Sequence, residues 1–498
     1  LEMTMSGYPL LSLAIWVPIV AGLLILAVGR DNNAGLTRIL ALIGAVAGLV
    51  VTFPLYTKFD AQATVMQFVE LSPWIPRFNI NYHLGVDGIS MPFIILNSFI
   101  TVIVVLAGWQ VIQYKPAQYN AAFLIMSGLF NGIFCALDGI LFYVFFEASL
   151  IPMYLIIGIW GGHNRVYAAI KFFLYTLLGS LLFLIAQLYL FIYSGGSFSI
   201  LDWHQMPIPM GPQLAIFMAF LVAFAVKVPM WPVHTWLPDA HPEAPTGGSI
   251  VLAAIALKLG GYAFLRFTLP IVPDASHELS WLMIGLSLIA VVYIGFVALV
   301  QADMKRLVAY SSIAHMGFVT LGFFMFTPLA VEGAIVQMIS HGFVAGAMFY
   351  CIGVVYDRMH THLIADCGGI VYKMPVYAAF FMLFAMANAG LPATSGFVGE
   401  FMVILGALQV NFWVAAISAT TMIVGAAYTL WMYKRVIFGP IANHHVAELT
   451  DVNTRELAIL MILAFLVLAM GVWPEPVTHI MHTSVNDLLR HVAISKLQ

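Results

Sequence analysis

Four ionisable residues stand inside long apolar stretches of this 498-residue sequence: Glu147, Lys227, Lys258 and Glu400. About 20 consecutive, mostly apolar residues form a membrane-spanning helix. A charge at the middle of such a helix costs on the order of 2.5–3.5 kcal/mol on insertion scales, so it needs a partner or a hydrated path. A lysine whose acidic partner can move away is a proton switch, because pairing favours the charged form and separation favours proton release. We assign this role to Glu147 and Lys227.

Two of these residues also have a simpler structural interpretation. Glu147 could serve only as the ion-pair partner of a lysine on another helix. Lys258 stands close to the end of its apolar stretch and could extend its ammonium group to the membrane interface. Both alternatives stay open from the residues alone.

Three histidines occur in the same kind of surroundings: His234, His315 and His341. Histidine takes up and releases protons near neutral pH. A single buried histidine is as often a satisfied core residue as a functional one. In the chain, however, His315 and His341 lie between Lys258 and Glu400, and this order favours a proton relay.

The composition defines the class of protein that carries these residues. Hydrophobic residues make up 62% of the chain and charged residues 8%, against about a quarter in an average globular protein. This composition excludes a soluble enzyme and a disordered chain. It also excludes a nucleic-acid binder, since no basic phosphate-binding surface can form. We predict an all-α polytopic protein whose surroundings are the lipid bilayer.

Apolar runs between polar breaks predict 14 transmembrane helices. The predicted spans are 8–29, 34–57, 88–113, 118–137, 139–159, 166–194, 213–238, 247–266, 278–300, 305–326, 330–356, 376–406, 410–433 and 455–474. Alternating residues in the polar segment 58–87 predict a short hairpin on the outer surface. The tail 475–498 is typical of an amphipathic surface helix.

Loop charges predict the orientation. Twelve basic residues fall on odd-numbered loops and five on even-numbered loops and the tail. The positive-inside rule then places the odd loops in the cytoplasm or matrix and both termini on the opposite side. Of these charges, Asp303, Lys305 and Arg306 are expected to pair with one another at a helix end, and Lys171 to extend to the interface. The twelve basic residues on odd-numbered loops are Arg30, Arg38, Lys115, Arg165, Lys171, Lys305, Arg306, Arg358, Lys373, Lys434, Arg435 and Arg455. The five on even-numbered loops and the tail are Lys58, Arg77, Arg266, Arg490 and Lys496.

Two spans carry helix breakers near their middles. One break follows Lys227 in VKVPMWPVHTWLPDAHPEAP, and the other precedes Glu400 in NAGLPATSGFVGEF. Proline removes an intrahelical hydrogen bond and glycine weakens a helix, so both spans should be discontinuous. Matching breaks in two halves indicate a repeat-built transporter. We divide the chain into N-terminal helices with the hairpin (1–117), a first repeat (118–266), a second repeat (278–433) and a C-terminal helix with its tail (434–498).

Five long motifs resemble the antiporter-like proton-translocating subunits of NADH:quinone oxidoreductase, respiratory complex I. They are HLGVDGISMPF (83–93), FFEASLIPMYLIIGIWGG (145–162), VKVPMWPVHTWLPDAHPEAPTGGSIVLAAIALKLGGY (226–262), RLVAYSSIAHMG (306–317) and LPATSGFVGEF (391–401). The resemblance covers nearly the whole chain. It implies 14 helices with two inverted five-helix repeats that contain broken helices.

The resemblance also implies roles for individual residues. The family's acid in the fifth helix matches Glu147, its broken-helix lysine matches Lys227, and its central lysine matches Lys258. The family's histidines match His234, His315 and His341. The last ionisable position, usually lysine in the other two large subunits and in sodium/proton antiporters, is Glu400 here.

The function implied is proton translocation driven by quinone reduction elsewhere in the complex. The expected partners are other complex I membrane subunits, including the L-type and N-type paralogues. We expect no metal site and no cofactor on this chain, with flavin, iron–sulfur clusters and quinone on partner subunits. The expected location is the bacterial inner membrane, with both termini periplasmic, in preference to the mitochondrial inner membrane. The alternatives are a cation/proton antiporter subunit of an Mrp-type or membrane-hydrogenase complex, and a purely structural membrane anchor.

Overall fold

The computed structural model describes residues 7–497 and is built almost entirely of helices. Each predicted apolar segment coincides with one helix or with two consecutive ones. Ten helical segments in the described part of the chain are long and apolar enough to cross a membrane. The all-α polytopic architecture is confirmed, whereas the count of 14 spans and the division into two repeats stay predictions.

The helices that coincide with predicted spans are Leu10–Val28, Ala34–Thr57, Met91–Ala107, Pro116–Cys135, Gly139–Ala148 with Leu150–Trp160, Arg165–Tyr193, Met210–Lys227 with Leu237–Glu243, Thr246–Ile271, Ser280–Leu299, Met304–Phe323, Pro328–Met359, Pro375–Ala389 with Ser395–Leu408, Phe412–Ala419 with Thr421–Ile437, and Thr454–Val472. Shorter helical pieces connect them at Asp31–Asn33, Pro76–Phe78, Ile200–Gln205, Pro273–Glu278, Ile364–Asp366, Ile370–Tyr372 and His444–Ala447.

Both predicted helix breaks are present. The first helix pair separates between Lys227 and Leu237, where Val228–Pro229 and Trp231–Pro232 are cis peptide bonds. The second pair separates at Gly390, whose φ of +88° is a left-handed conformation that glycine adopts without strain. The helix resumes at Ser395.

Close backbone contact holds the second break together. A Cβ atom on Gly396 would lie 1.9 Å from the carbonyl oxygen of Ala387, in the helix before the break. Only glycine allows the two half-helices to approach this closely. The first turn after the break, which leads to Glu400, is thereby positioned against the preceding helix.

The helix Thr246–Ile271 is the central helix of the molecule, and its membrane-spanning window is entirely buried. It is not a regular α-helix: Leu252–Ala256 and Phe264–Thr268 are π-helical turns on either side of Lys258. Such turns are often found at functional sites. A Cβ atom on Gly260 would lie 2.7 Å from the backbone nitrogen of Val228, so the central helix packs directly on the first break.

One charge in the orientation argument was assigned to the wrong place. Arg266 was expected in an outer loop, but it lies in the central helix and is buried. Its Nη2 is 2.8 Å from Oδ1 of Asp87, which is also buried. Arg266 is therefore half of a buried ion pair and does not count as a loop charge.

The predicted hairpin consists of the antiparallel strands Gln67–Ile75 and Ile80–Val86. Its Glu70 carboxylate accepts hydrogen bonds from Ser12 Oγ (2.6 Å) and from Ser12 N (3.0 Å). Ser12 lies in the first turn of the helix Leu10–Val28, where backbone N–H groups have no partner within the helix. The hairpin therefore caps the first span.

The tail is a helix, Glu475–Ala493, as predicted. Its apolar side packs on the helix bundle through Ile480, Met481, Val485 and Leu488. Polar contacts also hold it in position: for example, Ser484 Oγ accepts from Gly88 N (2.8 Å), and His482 Nδ1 lies 2.6 Å from Glu332 Oε1.

Candidate proton-transfer site

Lys258 contacts His341 at the centre of the molecule. The lysine is fully buried, and its Nζ donates to the carbonyl oxygen of Ala253 (2.7 Å) within the preceding π-helical turn. The same Nζ makes a short hydrogen bond with Nδ1 of His341. The alternative in which Lys258 extends to the membrane interface is therefore excluded, because the side chain is held inside the bundle.

His315 lies next to His341, with ring centroids 5.7 Å apart. Its Nδ1 is 2.5 Å from Glu400 Oε1, and its Nε2 is 3.1 Å from Asn388 Oδ1. All of these side chains are buried. Lys258, His341, His315 and Glu400 thus follow one another in space. The order in the chain predicts that the proton passes His315 before His341, and this order is wrong, because His341 bonds Lys258 and His315 bonds Glu400.

Uncharged polar side chains hold this row in place. Gln337 Nε2 donates to Glu400 Oε1 (3.3 Å). Asn388 Nδ2 donates to Ser311 Oγ (3.0 Å) and Thr429 Oγ1 (3.1 Å). Buried polar groups without partners are costly, so this shell stabilises the ionisable residues inside the bundle.

Glu147 and Lys227 are neighbours but do not form an ion pair in the described part of the chain. The ammonium group of Lys227 lies 4.8 Å from the ring centroid of Phe146 and 5.9 Å from that of Phe172. An aromatic face attracts a cation by about 0.5–2 kcal/mol. Glu147 Oε1 is buried and has no hydrogen-bond partner among residues 7–497. The geometry is that of a separated pair.

His234 lies in the first break and is not joined to the row of ionisable residues by a hydrogen bond. Its Nδ1 is buried without a hydrogen-bond partner among the described residues, and its ring is 6.5 Å from that of Tyr310. The structure thus brings together four of the seven candidate residues in one row and leaves Glu147, Lys227 and His234 near the first break.

Three residues of the site were missed: Asn388, Gln337 and His241. Asn388 and Gln337 are uncharged amides inside apolar helices, which is the signal that could have identified them. His241 is fully buried, stacks on Phe349 with centroids 4.2 Å apart, and has no partner for either ring nitrogen in the described structure.

The expected pairing among Asp303, Lys305 and Arg306 is also wrong. Asp303 Oδ1 caps the helix Met304–Phe323 by accepting from the backbone nitrogens of Lys305 and Arg306. Arg306 pairs instead with Asp239, which also binds Lys171 at 2.5 Å. Lys171 is therefore an ion-pair partner, and Lys305 has a separate environment.

Comparison with known proteins identifies the family of the chain. Residues 136–425 match the family described as NADH:quinone oxidoreductase/Mrp antiporter, transmembrane. Residues 39–135 match the amino terminus of NADH-ubiquinone oxidoreductase chain 4. NADH-quinone oxidoreductase subunit M of Rhodobacter capsulatus is 47% identical over 497 residues, covering 97% of this chain and 96% of the relative.

Solved structures show the same fold. A chain of respiratory complex I from Thermus thermophilus with bound NADH superposes with a TM-score of 0.87 at 30% identity, covering 96% of this chain and 99% of that one. A chain of the Mrp complex from Dietzia has a TM-score of 0.83 at 20% identity, covering 97% and 99%, and shows a shared fold alone. The chain belongs to the NADH:quinone oxidoreductase/Mrp antiporter family of transmembrane subunits.

Proposed function

We propose that this chain moves protons along Lys258, His341, His315 and Glu400, as a membrane subunit of NADH:quinone oxidoreductase. The observation that carries the proposal is the buried row itself. Lys258 bonds His341, and His315 bonds Glu400, with the two histidine rings 5.7 Å apart. These side-chain types can all exchange protons. Burying several of them together in a membrane protein is costly, and such costly residues typically mark a functional site.

Transfer along the row uses the chain's own side chains. Lys258 passes a proton to His341 Nδ1 through their hydrogen bond. The opposite nitrogen, His341 Nε2, has no hydrogen-bond partner among residues 7–497, which leaves it available for the step to His315. His315 then shares its proton with Glu400 over 2.5 Å.

The separated Glu147 and Lys227 supply the control element. When the two meet, the carboxylate favours the charged lysine, and when they part, the lysine favours proton release. The structure has Lys227 against Phe146 and Phe172 rather than on Glu147. Movement of Lys227 between the aromatic rings and the carboxylate would couple the first break to Lys258, because Gly260 of the central helix packs on Val228.

The setting of this activity follows from the family. The protein is a multi-pass membrane protein with other complex I membrane subunits as partners. We place the chain in the bacterial inner membrane, with the basic odd-numbered loops on the cytoplasmic side and both termini periplasmic. We assign the flavin, the iron–sulfur clusters and the quinone site to partner subunits.

The test measures pumping by the assembled complex that carries Glu147→Gln, Lys227→Met or Lys258→Met. Proton uptake into sealed vesicles is followed with a pH-sensitive dye, together with quinone reductase activity. NADH oxidation by ferricyanide, which bypasses the membrane arm, measures how much complex has assembled. We expect at least a tenfold loss of pumping per assembled complex, which corresponds to about 1.4 kcal/mol in a barrier.

Lys58→Met is the matched control, because Lys58 is an exposed lysine on the outer side. It should pump normally. If all three variants pump and reduce quinone as the wild type does, in complexes shown to be assembled, the proposed role of these residues is wrong and the chain acts as a membrane anchor.

A further inference from the structure

Lys305 is a third buried lysine, and the row of proton-transfer residues does not include it. Only 3% of its surface is exposed, and its Nζ donates to the carbonyl oxygen of Ala244 at 2.7 Å. Its ammonium group is also 5.9 Å from the ring centroid of Tyr356. In the described part of the chain Lys305 makes no ion pair, whereas the adjacent Arg306 binds Asp239.

The acids around Lys305 act on it from a distance. Asp303, Asp357 and Glu243 all interact with it electrostatically. Two of them have other partners: Asp303 caps the helix that carries Lys305, and Glu243 Oε2 accepts from Asn164 N at 3.0 Å. Lys305 thus lies in an acidic neighbourhood at the inner end of the bundle, the end that carries the odd-numbered loops, without a fixed counter-ion.

His241 belongs to the short helix Leu237–Glu243, and Lys305 binds the carbonyl oxygen of Ala244 directly after that helix. Ala244, whose carbonyl binds Lys305, follows His241 by three residues, about one helical turn or 5 Å. The buried His241 ring has two nitrogens without partners among residues 7–497. Leaving such groups unpaired in a protein interior is costly, which indicates a use other than packing.

The central helix connects His241 with Lys258. Ser249 Oγ of that helix donates to the carbonyl oxygen of His241 at 3.1 Å. The Lys258 ammonium group reaches back to Ala253, and therefore points along the central helix toward Ser249. Both Lys305 and Lys258 interact electrostatically with the His241 ring. The His241 ring is thus within electrostatic reach of both buried lysines.

We propose that Lys305 takes up protons at the inner end of the bundle and passes them through His241 to Lys258. In the first step an N–H bond of the Lys305 ammonium breaks and one forms on the His241 ring, leaving a neutral amine and an imidazolium. In the second step the imidazolium gives its proton to the neutral amine of Lys258. Lys305 is then reprotonated from the inner aqueous phase. This inference rests on the proposed function, since it supplies the protons that the row carries.

The competing explanation is structural, with Lys305 serving only to bind the end of the helix Leu237–Glu243. Three replacements separate the two roles in the assembled complex. Lys305→Arg keeps a charge and a donor but cannot release a proton, Lys305→His keeps a group that can, and Lys305→Met keeps only the apolar stem. Lys434→Met, at an exposed lysine on the same side, is the control.

Proton uptake and quinone reduction are measured per complex, with assembly normalised by NADH–ferricyanide activity. We expect at least a tenfold loss of pumping in both Lys305→Arg and Lys305→Met, a smaller loss in Lys305→His, and normal pumping in Lys434→Met. Full pumping by Lys305→Met overturns the proposal. So does an order in which arginine restores pumping and histidine does not, because that order identifies a structural cation.

If the Lys305 variants do not assemble, His241 provides an independent test. His241→Gln should lose pumping at least tenfold, whereas His241→Lys, which restores a titratable group, should lose less, and normal pumping by His241→Gln overturns the route. Failure of this inlet can be told apart from failure of the proposed function. Loss of pumping in Lys258→Met with normal pumping in the Lys305 and His241 variants rejects this inlet alone, whereas normal pumping in Lys258→Met rejects the row itself.

Discussion

His315 and Glu400 form a hydrogen bond inside the helix bundle. Nδ1 of His315 lies 2.5 Å from Glu400 Oε1, while Nε2 of the same ring lies 3.1 Å from Asn388 Oδ1. Because Asn388 uses its Nδ2 to donate to Ser311 and Thr429, its oxygen faces the ring and accepts a hydrogen bond from the Nε2–H group of His315. Nδ1 is therefore the ring nitrogen that faces the carboxyl group. The orientation of one amide thus determines which nitrogen of His315 faces Glu400.

Asn388→Leu tests this orientation. The substitution removes the acceptor for His315 Nε2 and leaves a buried N–H group unpaired, at a cost of about 1–3 kcal/mol. We expect a roughly 5- to 160-fold slower proton uptake per assembled complex, since a barrier increase of 1.36 kcal/mol is tenfold in rate. Ser311→Ala, which removes only one support of the Asn388 amide, should have a smaller effect. Equal pumping by Asn388→Leu and wild type would contradict the orientation argument.

Glu400→Gln tests the end of the row, and Glu332→Gln is its matched control. Both acids are buried in membrane helices, but Glu332 pairs with His482 of the tail helix, away from the row. Glutamine keeps the size of the side chain and removes its proton exchange. Proton uptake should fall at least tenfold with Glu400→Gln, about 1.4 kcal/mol, and stay near the wild-type rate with Glu332→Gln. A loss of equal size in both variants would indicate a general effect of removing buried acids.

Gly260→Ala tests the contact between the central helix and the first break. The added Cβ would lie 2.7 Å from Val228 N and 2.9 Å from Phe224 O, so the backbone has to shift. Overpacking of this kind costs about 1–3 kcal/mol. We expect a lower melting temperature of the purified complex and less assembled protein. Gly285→Ala is the control, since a Cβ there meets no atom within 4 Å, and it should leave the melting temperature unchanged or raise it.

Acidification should loosen the outer contact of His204, whose Nε2 lies 2.9 Å from the carbonyl oxygen of Arg266. Burial, with the charges of Arg266 and Lys496, lowers the pKa of His204 below its ordinary 6.5, and the bond to the carbonyl only partly offsets this. Below pH 6.5 the His204 ring binds more protons in the unfolded chain than in the folded chain. The contribution of His204 to the stability of the folded chain is therefore complete above pH 6.5 and declines as the pH falls.

The measurement for His204 is hydrogen exchange of the amides in 200–205 and 264–268, from about pH 7.5 down to about pH 5.5. Corrected for the intrinsic pH dependence of exchange, protection should decrease on acidification in the wild type. His204→Gln keeps an N–H donor without titration, so its corrected protection should not change. A parallel change in both proteins would assign the effect to another group.

Much of this architecture could be predicted because a membrane restricts the choices. Apolar runs, proline and glycine breaks, and buried ionisable residues are all visible in the sequence, and the helix Met210–Lys227 ends at the residue that precedes the first break. That His315 and His341 lie between Lys258 and Glu400 could also be anticipated, but the order of the two histidines could not, since the sequence predicts His315 before His341 and the structure has the reverse. Their contacts depend on three different helices approaching the central one, and no local pattern specifies that.

The role of individual charges was the least predictable feature. Lys305 and Arg306 are adjacent and both basic, yet one is buried on a carbonyl oxygen and the other binds Asp239. Successive residues of a helix point about 100° apart, so neighbours in sequence can face the interior and the interface. Asn388 was missed for a related reason: an uncharged amide gives a weak signal until its three partners are seen around it.

Because the central helix contains two π-helical turns, the number of its residues determines the direction in which Lys258 points. Each such turn holds one residue more than an α-helical turn would, and the turn Leu252–Ala256 directly precedes the segment that carries Lys258. Deleting one residue from it would restore regular winding and rotate Lys258 by about 100° relative to the preceding part of the helix. The lysine would keep its chemistry and its depth, yet it would face away from His341. The phase of the central helix therefore matters as much to the contact with His341 as the lysine itself, and a single-residue deletion would disconnect the row without removing any of its members.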